Sequence, residues 1–366
     1  MKSAIPAPQE NLLGLDKLDL CQLAELLDEP KFRGTQLFRD IYARRQRDFA
    51  QCTELPGPFR QILSSRYRVD YPEIKGRMAS RDGSVRYLLS LHDGESVETV
   101  YMPDEGRVTL CVSSQVGCAV NCRFCFTALM GVKRNLDPGE IIGQIIAVTC
   151  AEQHPAGTPL NVVFMGMGEP LLNLDSVMKA VRIMVDPDGL AIALRRITIS
   201  TAGVVPKIHL LAREAVRPKL AISLNASTDE QRTDLMPLNR KYPLSELFEA
   251  CRAFPLGPRE HLTFEYVLLD GVNDTDSDAR RVAALLAGIR SKVNLIPYNA
   301  GEGLPYRPSP LRRVLAFQKI LQDRRIPAFI RISRGQDIMA ACGQLRLAEM
   351  GDSTAQAQAA QPLSPA

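Results

Sequence analysis

Along the first 70 residues, apolar positions recur at helical spacing. "NLLGLDKLDLCQLAELLDE" and "RGTQLFRDIYARRQRDFA" each gather leucines and aromatics on one side and charge on the other, which predicts helices. Between residues 74 and 103 the period shortens. "RMASRDGSVRYLLSLHDGESVETVYMP" alternates in short runs broken at Asp82-Gly83 and Asp93-Gly94, the signature of a β-meander with tight turns. From Val108 onward, short apolar runs alternate with longer amphipathic ones. "VTLCVSS", "LNVVFM", "ITIST", "KLAISLN", "LTFEYVLL", "VNLIPY" and a later "AFIRIS" read as strands. "PGEIIGQIIAVTCAEQ", "SDARRVAALLAGI" and "PLRRVLAFQKILQDRR" read as helices between them. The final "GDSTAQAQAAQPLSPA" is low in large apolar residues and predicts a disordered tail.

Repeated strand–helix units with apolar strands imply an α/β fold around a parallel sheet, open or closed into a barrel. In such folds, sites gather at the carboxyl ends of the strands. The expected organisation is a helical accessory domain at 1–73, a β-meander linker at 74–106, an α/β core at 107–346 and a tail at 347–366. No internal repeat stands out.

The 366-residue chain is 45% hydrophobic and 23% charged, with a formal net charge of +4, as expected of a soluble globular protein. No secretory leader and no apolar stretch long enough to span a bilayer are visible, so a cytoplasmic location is expected. In a reducing compartment the nine cysteines are not expected to pair structurally, so clustered ones read as metal-binding or catalytic. Arg44, Arg45, Arg47, Arg60, Arg66 and Arg68 enrich the helical segment in arginine. They suit solvated helix faces and RNA phosphates alike.

"VGCAVNCRFCFT" places Cys118, Cys122 and Cys125 in a C-x₃-C-x₂-C spacing directly after the first α/β strand. Thiolates suit zinc and iron–sulfur clusters equally by softness. A structural zinc site closes with four ligands, yet His92, His154, His209 and His261 are all distant in sequence. Three cysteines on a four-iron cluster leave one iron open to a small molecule. This spacing resembles the signature of radical S-adenosylmethionine (SAM) enzymes. That resemblance implies a partial (β/α)6 barrel and a [4Fe-4S] cluster on the three cysteines, whose open iron binds SAM.

Further residues extend the likeness. In "VVFMGMGEP", Gly168 and Glu169 resemble the segment contacting the SAM amino group. Ser200 in "ITIST", Ser223, Leu224 and Asn225 in "AISLNAS", and Asn299 in "LIPYNA" sit at strand ends. By resemblance they hold the ribose, carboxylate and adenine of SAM. Cys21, Cys52, Cys150 and Cys251 read as packing residues.

Cys111 lies in the strand leading to the cluster, and Cys342 precedes Gly343 in "AACGQL". "ETVYMP", "LCVSSQVGCAVNCRFC", "MGMGEP" and "AACGQL" together resemble the RlmN family of dual-specificity RNA (adenine-C2)-methyltransferases over roughly residues 10 to 346. Two positions depart from the family pattern: Asn225, where many members have histidine, and Phe126, where a polar residue is common.

The resemblance implies that Cys342 is methylated by one SAM and a second SAM yields a radical. The thiomethylene carbon on Cys342 then joins adenine C2, and Cys111 releases the product through a transient disulfide. Glu98 or Cys111 takes the C2 proton. Substrates would be one adenosine of 23S rRNA and the adenosine 3′ of the anticodon in some tRNAs. An electron donor such as flavodoxin or ferredoxin, a monomeric state and no membrane association are expected. The competing readings are a Cfr-type adenine-C8 methyltransferase and a non-catalytic cysteine-rich RNA-binding protein.

Overall fold

Seven strands run parallel in one sheet of the computed structural model, which describes residues 9–155, 157–301 and 303–345. From one edge the order is Ala328–Ile330, Ser291–Pro297, Leu262–Leu268, Lys219–Ser223, Ile197–Thr201, Leu160–Phe164 and Arg107–Cys111. Three antiparallel strands, Ser96–Asp104, Val85–Ser90 and Glu73–Ala79, complete it to the other edge. The meander therefore continues the barrel sheet. Its turns fall where the Asp-Gly pairs predict, with Gly83 and Gly94 at positive φ.

The two edge strands do not pair, so the barrel is open. The sheet nevertheless curls. Gly335, just past the last strand, donates its N–H to Asp82 Oδ2 at 2.8 Å, and Ser80 Oγ donates to Asp337 Oδ1 at 2.5 Å.

Alternation along each strand divides its residues between two environments. Leu262, Phe264, Tyr266 and Leu268 are fully buried toward the outer helices. Phe264 stacks on Phe248 of helix Leu244–Ala253 at 5.6 Å, and Tyr266 meets Phe317 of helix Leu311–Asp323 at 5.1 Å. Glu265 and Val267 take the opposite face and line a cavity inside the barrel.

The helices begin where their caps dictate. Asp137 accepts from Glu140 N–H, Glu140 reciprocates, and Pro138 occupies the first turn of Pro138–Ala151. The amino-terminal helices Lys17–Leu26, Phe32–Tyr42 and Gly57–Arg66 share the barrel's hydrophobic core through Leu20, Leu37, Phe38 and Phe59. Gly14 lies so close to Gly139 that a Cβ on it would stand 2.3 Å from the Gly139 nitrogen. Lys17 also bridges Asp186 at 2.6 Å and Asp188 at 2.9 Å.

Arginines of this part are mostly engaged nearby. Arg44 pairs with Asp40 and Glu54, Arg47 and Arg68 with Asp70, and Arg39 with Asp188. Arg60 donates to Ala50 O and Arg45 to the Cys150 sulfur. The tail expected to be disordered lies outside the described residues. Among the described residues no helix is long and apolar enough to cross a membrane.

Candidate active site

The cysteine loop is held at its base by a small hairpin, Gln115–Gly117 against Val132–Asn135, that the periodicity did not suggest. Gly117, at φ +78°, admits the Gly131 carbonyl so closely that a Cβ would meet it at 1.8 Å. Above this base Cys118 N–H donates to Gly131 O at 2.8 Å, and Cys125 N–H to Cys122 O at 3.1 Å. Asn121 turns the loop through a left-handed conformation.

The three thiols line the cavity at the carboxyl ends of the strands, together with Gly168, Glu169, Ser200, Ser223, Asn225, Asn299 and Cys342. Sequence positions 118 to 342 thus converge on one wall-to-wall site. Leu224 does not reach it. Its side chain is fully buried in the core, and its N–H donates to Glu265 O.

Glu169 is fixed before any ligand arrives: Oε1 accepts from Leu171 N–H at 3.0 Å and Oε2 from Ala202 N–H at 2.7 Å. Burial raises its pKa and these bonds oppose the shift. The Thr201 side chain bonds to the same carboxylate, so Glu169 is oriented as an acceptor toward the cavity it lines. Gly168, at φ +99°, leaves no room for a side chain, because a Cβ would collide with Gln115 at 2.6 Å.

Asn225 also sits left-handed, at φ +54°, a conformation that asparagine and histidine both tolerate better than most residues. Its Oδ1 accepts from Val267 N–H at 2.9 Å. Asn299 is occupied too: Nδ2 donates to Cys342 O at 3.2 Å, and Oδ1 accepts from Gln336 at 2.8 Å. Asn299 thereby anchors the Cys342 loop. Phe126 is buried and its N–H donates to Gly343 O at 2.8 Å, joining the cluster loop directly to the Cys342 loop.

Cys342 is open to solvent through the cavity yet surrounded by protein, so its accessible surface is cavity wall. Burial first, then Glu265, pushes its thiol up to about 11, with Arg331 opposing. Cys111 lies just behind. Its thiol is raised by burial and next by the nearby Cys342. All nine cysteines are free thiols, so no Cys111–Cys342 disulfide is present.

Glu98, the other proton acceptor that the resemblance implies, is 0% exposed. It shares the barrel-facing side of its strand with Val100, whose register partner is Cys111. Its carboxylate lies 3.5 Å from Arg86, and Arg86 donates to Met339 O in the Cys342 loop. Glu98 does not itself line the cavity.

Three residues escaped the sequence reading. Glu265 interrupts an apolar strand, a signal that alternation alone could have raised; Ser200 Oγ donates to it at 3.2 Å. Tyr298, adjacent to Asn299, carries a buried hydroxyl without a partner among the described residues. Arg232 is 0% exposed and gave no signal within a polar run. It donates to Ala202 O at 2.5 Å, Ser223 O and Leu224 O at 3.2 Å, and Asn239 Oδ1 at 3.0 Å.

The donor set fits a thiolate-bound cluster. Burial and mutual proximity raise the Cys118 thiol to about 12 and Cys122 further, so holding thiolates here requires a cationic partner. The Arg232 charge offsets a small part of the Cys122 shift. Among the described residues no three metal-binding side chains converge on a single ion-sized point. Thiolates that each bind a different iron of one cluster have no need to. Tyr298 supplies an unfilled polar contact in the same cavity.

Fold and site together define a radical SAM protein, and residues 112–283 match the Radical SAM superfamily. Residues 10–69 match the ribosomal RNA large subunit methyltransferase N-terminal domain. The chain is 49% identical to the probable dual-specificity RNA methyltransferase RlmN of Koribacter versatilis, over 89% of this chain and 99% of the relative. It is 48% identical to that of Syntrophobacter fumaroxidans, over 89% and 94%. A crystal structure of a radical SAM methyltransferase from Sphaerobacter thermophilus superposes with a TM-score of 0.87 at 42% identity, covering 92% of this chain and 99% of that one. The chain belongs to the RlmN family of dual-specificity RNA methyltransferases, and the family implies SAM and a [4Fe-4S] cluster.

Proposed function

We propose that this protein methylates C2 of an adenosine in RNA, with Cys342 as the methyl carrier and Cys111 as the group that frees the product. The substrates in this reading are 23S rRNA at the peptidyl-transferase centre and the adenosine 3′ of the anticodon in some tRNAs. Cys118, Cys122 and Cys125 would hold the cluster, with Gly168, Glu169, Ser200, Ser223, Asn225 and Asn299 around SAM. Bound there, cluster and SAM supply a methyl group and a carbon-centred radical, with two SAM consumed per turnover.

The chain's own residues carry the rest. Cys342 must lose its proton to accept a methyl on sulfur; burial and Glu265 oppose that loss, and the Arg331 charge offsets part of the cost. Once the carbon on Cys342 is joined to adenine, Cys111 as the thiolate attacks the Cys342 sulfur and a Cys111–Cys342 disulfide forms. The sulfur–carbon electron pair passes to the leaving carbon, which takes a proton to become the methyl group. The reductant later returns the disulfide to two thiols. Neither Cys111 nor Glu98 lines the cavity itself; Cys111 lies in the strand behind it, within electrostatic reach of Cys342, and Glu98 lies against Arg86. This favours Cys111 as acceptor of the C2 proton and gives Glu98 the task of holding Arg86 and the loop. An adenine must leave its stack to enter such a cavity. A low-potential donor such as flavodoxin or ferredoxin would supply electrons to a monomeric enzyme.

The observation that carries this reading is that Cys342 lines one cavity with Cys118, Cys122 and Cys125, its loop joined to theirs by the Phe126 N–H to Gly343 O hydrogen bond. Anaerobic incubation with SAM, reductant and unmodified rRNA or tRNA, followed by nucleoside mass spectrometry, tests it. Wild type should yield 2-methyladenosine. Cys342→Ala should yield none at unchanged iron content, and Cys111→Ala should leave RNA covalently attached to the protein. An 8-methyladenosine product would instead assign the Cfr-type reaction. Full methylation by Cys342→Ala would exclude Cys342 as the carrier.

A further inference from the structure

We infer that the Tyr298 hydroxyl donates a hydrogen bond to the Cys125 sulfur when the three cysteines carry an iron–sulfur cluster, and that this bond raises the cluster's reduction potential. The inference rests on the cluster reading above and adds how the protein tunes that cluster.

Tyr298 directly follows strand Ser291–Pro297 and lines the cavity with Cys118, Cys122 and Cys125. The residue is 5% exposed, yet its hydroxyl has no partner among the described residues. A buried hydroxyl left unpaired is costly, so its partner is to be sought in what the cavity binds.

Packing indicates which partner. Tyr298 belongs to a small apolar cluster with Val120, Phe124 and Met236, and the three cluster cysteines pack against it. Its ring stands edge-on to Tyr306, with centroids 6.1 Å apart. Asn299, the next residue, donates to Cys342 O, while Phe126, next to Cys125, donates to Gly343 O. Tyr298 and Cys125 are therefore tied to the same short loop.

Chemistry agrees with the packing. Burial first, then Cys125, pushes the Tyr298 phenol up to about 12, so it remains a donor at neutral pH. A neutral thiol accepts hydrogen bonds weakly, whereas a metal-bound thiolate carries charge and accepts well. Burial opposes the Cys125 thiolate, and hydrogen bonds from Thr127 and the Ala128 backbone favour it. Reduction places further electron density on the cluster sulfurs, so a donor there stabilises the reduced state more than the oxidised one. The SAM carboxylate is the rival acceptor; the packing of Tyr298 among the thiols favours sulfur.

Tyr298→Phe in the full-length, cluster-reconstituted protein tests the assignment, because it removes one oxygen and keeps the ring. Iron content should match wild type. In an anaerobic redox titration followed by electron paramagnetic resonance, one-electron reduction should become about tenfold less favourable, a shift of about 59 mV to more negative potential. SAM affinity, measured by equilibrium dialysis, should be unchanged. Tyr306→Phe, beside the same ring but only half-buried, should leave the potential as it is. Without the cluster, Tyr298→Phe should melt no lower than wild type, since the lost hydroxyl has no partner in the described chain.

An unchanged potential would overturn the inference, and a loss of SAM affinity with it would assign the hydroxyl to the SAM carboxylate. A lower melting temperature of the cluster-free variant would reveal a partner within the protein and overturn it equally. Each of these leaves the cluster reading intact. Wild type that holds no [4Fe-4S] cluster would remove that reading and this inference together.

Discussion

The amino-terminal helices and the barrel interior use positive charge in opposite ways. The helical part is dense in arginine, but Arg39, Arg44, Arg47 and Arg68 all meet carboxylates at the surface. The barrel uses its cations differently. There Arg232 is buried on four acceptors beside the Cys122 thiol, and Arg86 is locked between Glu98 and the Cys342 loop. Richness in arginine therefore says little about function; burial and pairing decide what a charge can do. Exposed pairs contribute at most about 1 kcal/mol each, while a buried charge binds its surroundings to one geometry.

The sharpest way to break this contrast is Arg232→Met. The substitution leaves the Ala202, Ser223 and Leu224 carbonyls buried without donors, at about 1–3 kcal/mol per unsatisfied group. Thermal or urea unfolding should show a loss of roughly 3 kcal/mol or more, with reduced iron retention. Arg44→Gln should cost under about 1 kcal/mol in the same assay. Equal costs would void the contrast.

A smaller effect concerns the meander. Asp82 accepts from Gly335 N–H, and Asp337 from Ser80 Oγ and Arg81 N–H, so the first turn of the sheet clamps the loop that carries Cys342. Asp82→Ala/Asp337→Ala should speed amide exchange of residues 335–343 by about tenfold, equivalent to about 1.4 kcal/mol of local stability. RNA methylation should fall while iron content holds. Unchanged exchange would show that Phe126 and Asn299 hold the loop without the meander.

Much of this was legible in the chain. Alternating strand and helix periods gave the parallel sheet, Asp-Gly pairs gave the meander turns, and the cysteine spacing marked the loop at the strand ends. Burial of polar residues was not legible. Glu98 sits in an ordinary strand pattern, and only its packing against Arg86 sets it in the interior. Arg232 lies on a short helix among charged neighbours, and its burial depends on where two strand ends meet. Leu224 neighbours two cavity residues in sequence, yet the chain turns its side chain into the core. Asn299 lines the cavity as its strand-end position suggests, but its long-range hydrogen bonds to Gln336 and Cys342 were not visible in the sequence. Each case depends on contacts between distant segments, which local pattern cannot encode.

The smallest effect is a pH dependence confined to the helical part. Lys17 first, then Arg39, holds the Asp188 carboxyl below its ordinary value, which ties the first two helices to the barrel. A carboxyl depressed in the folded protein contributes its full stabilisation above the unfolded value near 3.8. As pH falls through that value the unfolded chain takes the proton first, and the contribution disappears below the folded pKa. The stability gap between wild type and Asp188→Asn should thus be constant from pH 7 to about 5, narrow below about 4 and vanish in stronger acid. Its size should stay under about 1 kcal/mol, because both partners are partly solvated. Urea melts of both proteins at stepped pH measure it. A gap that persists undiminished to pH 3 would mean that apolar packing through Leu20, Leu37 and Phe38, rather than this ion pair, accounts for the difference.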